Sequence, residues 1–167
     1  MLNSFKDKAL WAADLADGNG GSKKAQILAV ALLDQNGSPV IKTRIGEKVS
    51  LKIWYRKNIA GPVHVHAVIR NRFNQIIFGG GTYTLGIDVS SVKPGELAVF
   101  ELVMDCAVEV GEYMFLVKIA EETTHPNRGV EIDASPWLGP LTVCWDYDHQ
   151  RAPFFGMFGL PCRGKLS

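Results

Sequence analysis

Apolar and polar residues alternate along several short stretches of the chain from Ala25 onward. The clearest stretch is Glu47–Arg56, in which every second side chain from Val49 to Tyr55 is apolar, and Val63–Ile69 repeats this pattern. A period of two over this length is typical of a β-strand that buries one face. About eight strands are predicted in this way: Ala25–Leu33, Glu47–Arg56, Val63–Ile69, Gln75–Phe78, Ala98–Asp105, Glu112–Glu121, Pro140–Tyr147 and a last apolar stretch, Phe154–Leu160.

Turn-forming residues separate these stretches. Asp34–Gly37, Asn71–Asn74 and Pro94–Gly95 have the composition of turns, while Gly79–Gly81 is typical of a bulge or of positive φ. The polar segment Glu121–Pro136 is predicted to be a long surface loop. Short strands at this spacing, with no long helix, predict an all-β fold: an antiparallel β-sandwich of the immunoglobulin-like or jelly-roll kind.

The length and composition suit one domain with an N-terminal extension. The chain has 167 residues, of which 47% are apolar and 21% charged, as in an ordinary globular domain. Residues 1–24 end in a glycine-rich polar segment and are predicted to be a linker or tail, which leaves 25–167 as the folded domain. The chain shows neither a secretory signal nor about 20 consecutive apolar residues, so we expect a cytoplasmic protein.

Three cysteines, Cys106, Cys144 and Cys162, occur at spacings unlike a CxxC motif or a zinc ligand set. Cys106 and Cys144 lie within apolar strand patterns, where a free cysteine packs as a small hydrophobic residue. This use of cysteine suits a reducing compartment.

The formal net charge of +1 gives no basic field that would point to nucleic acid. The charge is uneven along the chain, however. Residues 1–83 contain 12 Lys and Arg against 5 Asp and Glu, and residues 84–167 contain 6 against 12. We expect strands from the two halves to interleave, so that the imbalance cancels in space.

The motifs of common enzymes are missing from the sequence. Gly79–Thr82 lacks the lysine and the helix start of a phosphate-binding loop, and no GxSxG or HExxH motif occurs. His64 and His66 share one face of a strand, about 7 Å apart, without a third ligand at a suitable spacing. Solvated histidines, or histidines that bind sugar hydroxyls, are therefore favoured over a metal site. We expect a non-catalytic protein that needs no cofactor.

Trp54 is the strongest candidate for a binding residue, because it lies on the opposite face of its strand from Val49 and Tyr55. An indole on an open sheet face offers a flat surface to the C–H face of a sugar ring. The alternative is that Trp54 covers the edge of the core. Trp145 is expected in the core and Trp137 at a pocket rim. The polar groups expected around Trp54 on the same face are those of Lys52, Arg56, His64, His66, Glu101 and Lys118.

A set of short motifs occurs in an order and spacing that resemble a known family. They are Leu33–Gly37 (LDQNG), Ile45–Leu51 (IGEKVSL), Ile69–Asn74 (IRNRFN), Ile77–Gly79, Thr82–Tyr83, Leu85–Gly86, Val110–Tyr113 (VGEY) and Phe158–Pro161 (FGLP). Together they resemble the C-terminal domain of Wzt, the ATPase subunit of the ABC transporters that export O-antigen polysaccharides. The resemblance covers about residues 25–161. Two positions depart from the family pattern: Gly81 replaces an Asn before Thr82, and Val110 replaces a Pro before Gly111.

The resemblance implies a β-sandwich that recognises the modified non-reducing end of a finished O-antigen polysaccharide, and so couples chain termination to export. It also implies a homodimer formed by exchange of a C-terminal strand, here Phe154–Leu160. An ATPase domain upstream, a transmembrane transporter subunit as partner and a place at the inner face of the inner membrane follow from the same resemblance. The alternative left by the residues themselves is an immunoglobulin-like module that binds a protein partner and no sugar.

Overall fold

The computed structural model describes residues 8–14, 24–125 and 127–166. These residues include no helix that could span a membrane. They form ten β-strands: β1 (Trp11–Ala12), β2 (Ala25–Asp34), β3 (Lys42–Arg44), β4 (Lys48–Lys57), β5 (Val63–Asn71), β6 (Ile76–Gly81), β7 (Leu97–Asp105), β8 (Gly111–Glu122), β9 (Gly129–Ala134) and β10 (Leu138–Cys144).

The strands form two sheets that pack face to face. The first sheet has the order β1-β2-β4-β7, and the second has the order β3-β10-β8-β5-β6, with β9 also paired to β8. Neighbouring strands are antiparallel, except that β3 and β10 run parallel. The predicted all-β sandwich is therefore confirmed.

The core lies between the two sheets and follows the alternation seen in the sequence. Leu51 and Ile53 of β4 are buried on the inner face of the first sheet, and Val65 and Ala67 of β5 and Phe115 of β8 are buried on the inner face of the second. The residues between them on β4 and β5 point away from the core and are only partly buried. Burying one face of each strand removes apolar surface from water, which is the main force that holds two sheets together.

Three strands differ from the sequence prediction. β1 and β3 have two and three residues, too few to show a period. β9 lies inside Glu121–Pro136, so the prediction of one long loop there is wrong. β9 was missed because most of its six residues are exposed, and a strand that buries neither face shows little contrast between its two sides. β1 lies within the predicted tail of residues 1–24 and pairs with β2; much of that tail lies outside the described residues.

The apolar stretch Phe154–Leu160 is not a regular strand. Its one bridge joins Phe158 to Val108. Two backbone hydrogen bonds hold the bridge: the Glu109 N–H donates to the Met157 carbonyl at 3.0 Å, and the Gly159 N–H donates to the Ala107 carbonyl at 2.8 Å. The side chain of Phe155 is 93% exposed.

Candidate functional site

The structure places the seven predicted site residues on two different surfaces. Four of them lie on the outer face of the first sheet: Lys52, Trp54, Arg56 and Glu101. The other three lie on the outer face of the second sheet: His64, His66 and Lys118. The core separates these two faces, so Trp54 does not share a groove with the histidines.

A cavity of about 490 Å³ opens on the outer face of the second sheet. β5 and β6 form its floor, the segment after β6 forms one wall, and the connection from β8 to β9 forms the other. Three of the chain's four histidines line it. The lining residues are His64, His66, Gly79, Gly80, Gly81, Tyr83, Thr84, Ala120, Glu121, Glu122, Thr123, Thr124, His125, Asn127, Arg128 and Gly129.

The cavity has room because β6 carries glycines where other strands carry side chains. Gly79 is paired with Val68 and Gly81 with His66, so both glycines face outward. A Cβ at Gly79 would meet no atom nearer than the Ala67 carbonyl oxygen at 4.0 Å. At Gly81 a Cβ would lie 2.1 Å from the Val65 carbonyl oxygen, so only glycine permits this approach of the two backbones.

The buried hydroxyl of Thr82 positions His64. Its Oγ1 accepts a hydrogen bond from the Val65 N–H at 3.1 Å and lies 3.1 Å from His64 Nδ1. On the other side of the ring, His64 Nε2 lies 3.5 Å from a carboxylate oxygen of Glu122. The Thr82 hydroxyl donates to the Val65 carbonyl at 3.4 Å, and the His64 ring is held between Thr82 and Glu122 through its two nitrogens. The Tyr83 ring meets the His64 ring edge to face, with centroids 5.3 Å apart.

His66 also lies in the floor of the cavity. Burial lowers the pKa of its imidazole below the usual 6.5, and the nearby Lys118 ammonium lowers it further, against a smaller opposing effect of Glu131. Lys118 is paired with His66 across β5 and β8, and its ammonium binds the Glu131 carboxylate at 2.7 Å. His66 is therefore neutral near pH 7, and a neutral imidazole offers one donor and one acceptor.

The connection from β8 to β9 is folded back on itself. The Thr123 hydroxyl oxygen accepts a hydrogen bond from the His125 N–H at 3.3 Å and donates its own proton to the Arg128 carbonyl. The Arg128 N–H in turn donates to the His125 carbonyl at 3.2 Å. At its base, the Lys24 ammonium binds Glu121 at 2.5 Å. His125 and Arg128 are thereby held at the rim of the cavity.

The other tryptophans occupy different positions. Trp145 packs against the core, as predicted, with the Arg44 guanidinium 5.1 Å from the centre of its ring. Trp137 lies beneath the Arg70 guanidinium at 4.0 Å and is not among the cavity-lining residues. On the first sheet, the Lys52 ammonium lies 5.7 Å from the centre of the Trp54 ring.

The cavity combines hydrogen-bonding groups with an aromatic ring and exposed backbone. Histidine, threonine and asparagine side chains can each donate and accept hydrogen bonds, which suits a ligand rich in hydroxyl groups. Within residues 8–14, 24–125 and 127–166, no group of three or more His, Cys, Asp or Glu side chains is arranged to hold a metal ion.

Residues 18–158 match the family model of the Wzt C-terminal domain. The chain belongs to this family. Among solved structures, the crystal structure of the C-terminal domain of Wzt superposes with a TM-score of 0.73 at 15% sequence identity, covering 88% of this chain and 86% of that one. At that identity the likeness shows the fold alone. No curated protein matches the chain.

In this Wzt C-terminal domain, most of the cavity comes from residues that the alternation pattern did not single out. Tyr83 and Thr82 appeared only as part of a family motif, and His125 and Arg128 lay in the segment predicted as a loop. The one available signal was the Gly79–Gly81 run, because three successive glycines leave an open space on a strand. Periodicity assigned His64 and His66 to an outer face correctly.

Proposed function

We propose that the chain binds the modified non-reducing end of an O-antigen polysaccharide in the cavity of the second sheet, without making or breaking bonds. The observation that carries this proposal is the cavity itself: an open pocket lined by His64, His66 and Tyr83 over a glycine floor, in a domain of the Wzt C-terminal family. Its volume lies in the range of about 300–1,000 Å³ that is usual for small-ligand sites.

Each wall of the cavity suits a different part of a sugar. His66 and the edge of His64 offer hydrogen bonds to hydroxyl groups, while the half-exposed ring of Tyr83 offers an apolar surface to C–H groups. The glycine floor lets the ring lie close to the backbone of β6. Lys118 acts indirectly, by adding to the effect of burial that lowers the pKa of His66. Trp54, Arg56 and Glu101 take no part in this site.

The family context extends the proposal to export. The domain would recognise a completed chain and signal its completion to an ATPase domain and a transmembrane subunit of an ABC transporter at the inner face of the inner membrane. Exchange of the segment Phe154–Leu160 between two copies would give a homodimer. The single bridge at Phe158 and the exposed ring of Phe155 support such exchange, because a segment held by few contacts moves between copies at low cost.

Modest affinity is expected at each site. Hydrogen bonds to hydroxyl groups replace bonds to water and contribute about 0.5–1.5 kcal/mol each, so dissociation constants in the micromolar to millimolar range are expected. A dimer with two sites would bind multivalent chains more tightly through a higher effective concentration.

Filling the cavity tests the proposal. Gly79→Leu adds a side chain at a position where a Cβ makes only an ordinary contact, 4.0 Å from the Ala67 carbonyl oxygen, so it should block the cavity and leave the sheets intact. Gly164→Leu is the control, since a Cβ there meets nothing within 4 Å and the position lies in the C-terminal segment. Calorimetric titration with O-antigen polysaccharide carrying its terminal modification should show binding to the wild type and control, and at least tenfold weaker binding to Gly79→Leu.

The same titration with chains that lack the terminal modification tests recognition of the end. We expect binding to weaken strongly. Equal binding to both chains would contradict recognition of the terminus, and normal binding by Gly79→Leu would place the sugar site outside this cavity.

A further inference from the structure

The outer face of the second sheet continues beyond the cavity along β5. His66 in the cavity floor and Arg70 lie on the same face of this strand, about 13 Å apart at the usual rise per residue. Between them, the half-buried Val68 is paired with Leu116 of β8 on one side and with Gly79 of β6 on the other. Because Gly79 has no side chain, β6 raises no wall at this point between the cavity and the surface around Arg70.

At the far end of this surface, the Arg70 side chain lies against Trp137. Its guanidinium carbon is 4.0 Å from the centre of the indole ring, a distance at which the negative face of the ring attracts a cation. Trp137 comes directly before β10 and Arg70 belongs to β5, while β8 lies between these two strands. The two side chains therefore meet above β8. The contact holds the long arginine side chain in place, so less conformational entropy is lost when a ligand binds it.

The positive charge of Arg70 is not balanced by a neighbouring acid. In the part of the chain that the structure describes, its guanidinium forms no ion pair with a carboxylate, and its nitrogens are not among the buried polar atoms that lack a partner. They therefore face solvent. By contrast, Lys118 on the same face binds Glu131 at 2.7 Å. Glu112, an exposed acid on the same face of β8, does not pair with Arg70 either.

We propose that Arg70 and Trp137 form a second subsite for the polysaccharide, which binds an anionic group, a carboxylate or a phosphate, carried by one of its sugars. A guanidinium presents a planar fork of N–H donors that matches two oxygens of such a group. The half-buried indole offers an apolar edge to the C–H groups of the sugar that carries it. This inference rests on the proposed function, because the chain bound in the cavity brings the anionic group within reach.

The distance between the two subsites assigns the anionic group to a sugar other than the one in the cavity. A span of about 13 Å along β5 is longer than a single sugar ring, so the terminal sugar does not reach Arg70 from the cavity floor. The surface between the subsites consists of Val68 and Leu116, which face outward and are half-buried. Such apolar side chains suit the C–H groups of the intervening part of the chain.

Titration with small sugars, followed by nuclear magnetic resonance on the full chain, tests this subsite directly. The probes are glucuronate, glucose 6-phosphate and uncharged glucose, at concentrations up to about 50 mM because single contacts bind in the millimolar range. The acidic sugars should shift the signals of the Trp137 indole N–H and the Arg70 Nε–H with saturation, and glucose should not. The tighter of the two acidic sugars shows whether a carboxylate or a phosphate is preferred. Inorganic phosphate should bind more weakly than glucose 6-phosphate, because it lacks the sugar that contacts the indole.

Variants assign the binding to Arg70. Arg70→Gln keeps hydrogen-bond donors but removes the charge, so it should weaken the binding of acidic sugars at least about tenfold, measured on the Trp137 signal. Arg72→Gln is the matched control, since the Arg72 guanidinium also lies over an aromatic ring, 4.8 Å from the centre of Phe73, but in an exposed turn. It should bind acidic sugars like the wild type. Thermal unfolding checks that both variants are folded.

Several results would overturn the subsite: acidic sugars that leave both signals unmoved, Arg70→Gln that binds them normally, or Arg72→Gln that loses as much affinity. Inorganic phosphate that binds as tightly as glucose 6-phosphate would also overturn it, because the sugar would then take no part. The proposed function fails separately. If Gly79→Leu weakens polysaccharide binding while acidic sugars leave the Arg70 and Trp137 signals unmoved, only this inference fails. If acidic sugars bind but Gly79→Leu binds the polysaccharide normally, only the cavity is refuted.

Discussion

Replacing Gly81 by alanine should destabilise the domain far more than the same change at Gly79, two residues earlier on the same strand face. At Gly81 the new Cβ would lie 2.1 Å from the Val65 carbonyl oxygen and 2.5 Å from the Cα of His66. Both contacts are with backbone, so no side chain can rotate away to relieve them. β6 must move away from β5 instead.

The expected magnitude follows from what that movement breaks. Overpacking of this kind costs about 1–3 kcal/mol. The shift also stretches the hydrogen bond from the Thr82 N–H to the Val65 carbonyl, now 2.9 Å, and such a bond is worth about 0.5–1.5 kcal/mol. A loss of about 3 kcal/mol is therefore expected, or about 6–12 °C in Tm for a domain of this size. At Gly79 the new Cβ would make only an ordinary contact with the Ala67 carbonyl oxygen at 4.0 Å. Gly79→Ala should therefore be neutral or stabilising by up to about 1 kcal/mol, because it restricts the unfolded chain.

Urea unfolding followed by tryptophan fluorescence measures both variants with the same probes. We expect a lower midpoint for Gly81→Ala with an unchanged denaturant slope, since the surface exposed on unfolding is the same. Equal midpoints for the two variants would show that β5 and β6 do not approach as closely at Gly81 as the structure has them.

Two further predictions concern the histidines of the cavity. Thr82→Val removes the acceptor of the buried Val65 N–H and the partner of His64, so it should cost about 1–3 kcal/mol of stability and weaken sugar binding in calorimetry, while Thr82→Ser should keep most of the binding. If both variants bound equally well, Thr82 would have no positioning role. For His66, whose pKa is lowered mainly by burial and then by Lys118, the unfolded chain binds a proton first as the pH falls below about 6.5. The unfolding free energy should therefore fall as the pH drops below 6.5, and the free energy of unfolding of His66→Gln should fall less over that range. Chemical denaturation at several pH values measures both proteins, and equal pH dependence of the wild type and the variant would contradict this.

The strands were predictable where each buries one face. In β4 and β5 the alternation identified both the strands and their inward residues. One face of each strand is buried and the other is exposed to solvent, so consecutive side chains alternate between apolar and polar. The same reasoning failed for β9, whose residues are mostly exposed. It also placed one strand at Pro140–Tyr147, whereas β10 runs from Leu138 to Cys144. The register of β10 on β8 is interrupted between Leu138 and Leu141, so regular alternation does not mark where β10 begins.

The candidate site was predictable only in part, for a different reason. Alternation tells which side of its own strand a residue occupies, but it carries no information about which strand lies next to it or in which sheet. Trp54 and His64 were both correctly placed on outer faces, yet β4 belongs to one sheet and β5 to the other. Strand order depends on contacts between residues distant in the chain, and such contacts leave no periodic signal in one sequence.

The charge imbalance between the two halves of the sequence also depends on strand order, because strand order decides which basic and acidic residues become neighbours. Pairing β4 with β7, and Lys24 with Glu121, brings basic residues of the first half against acidic residues of the second. Strand pairing brings opposite charges together, but it does not intersperse basic and acidic residues within one strand. Because whole strands interleave, the outer face of the first sheet carries a basic column on β4 (Lys48, Lys52 and Arg56) beside an acidic column on β7 (Glu101 and Asp105). A neutral pair of columns exerts little force on a distant molecule, so this face should not attract a charged partner from a distance.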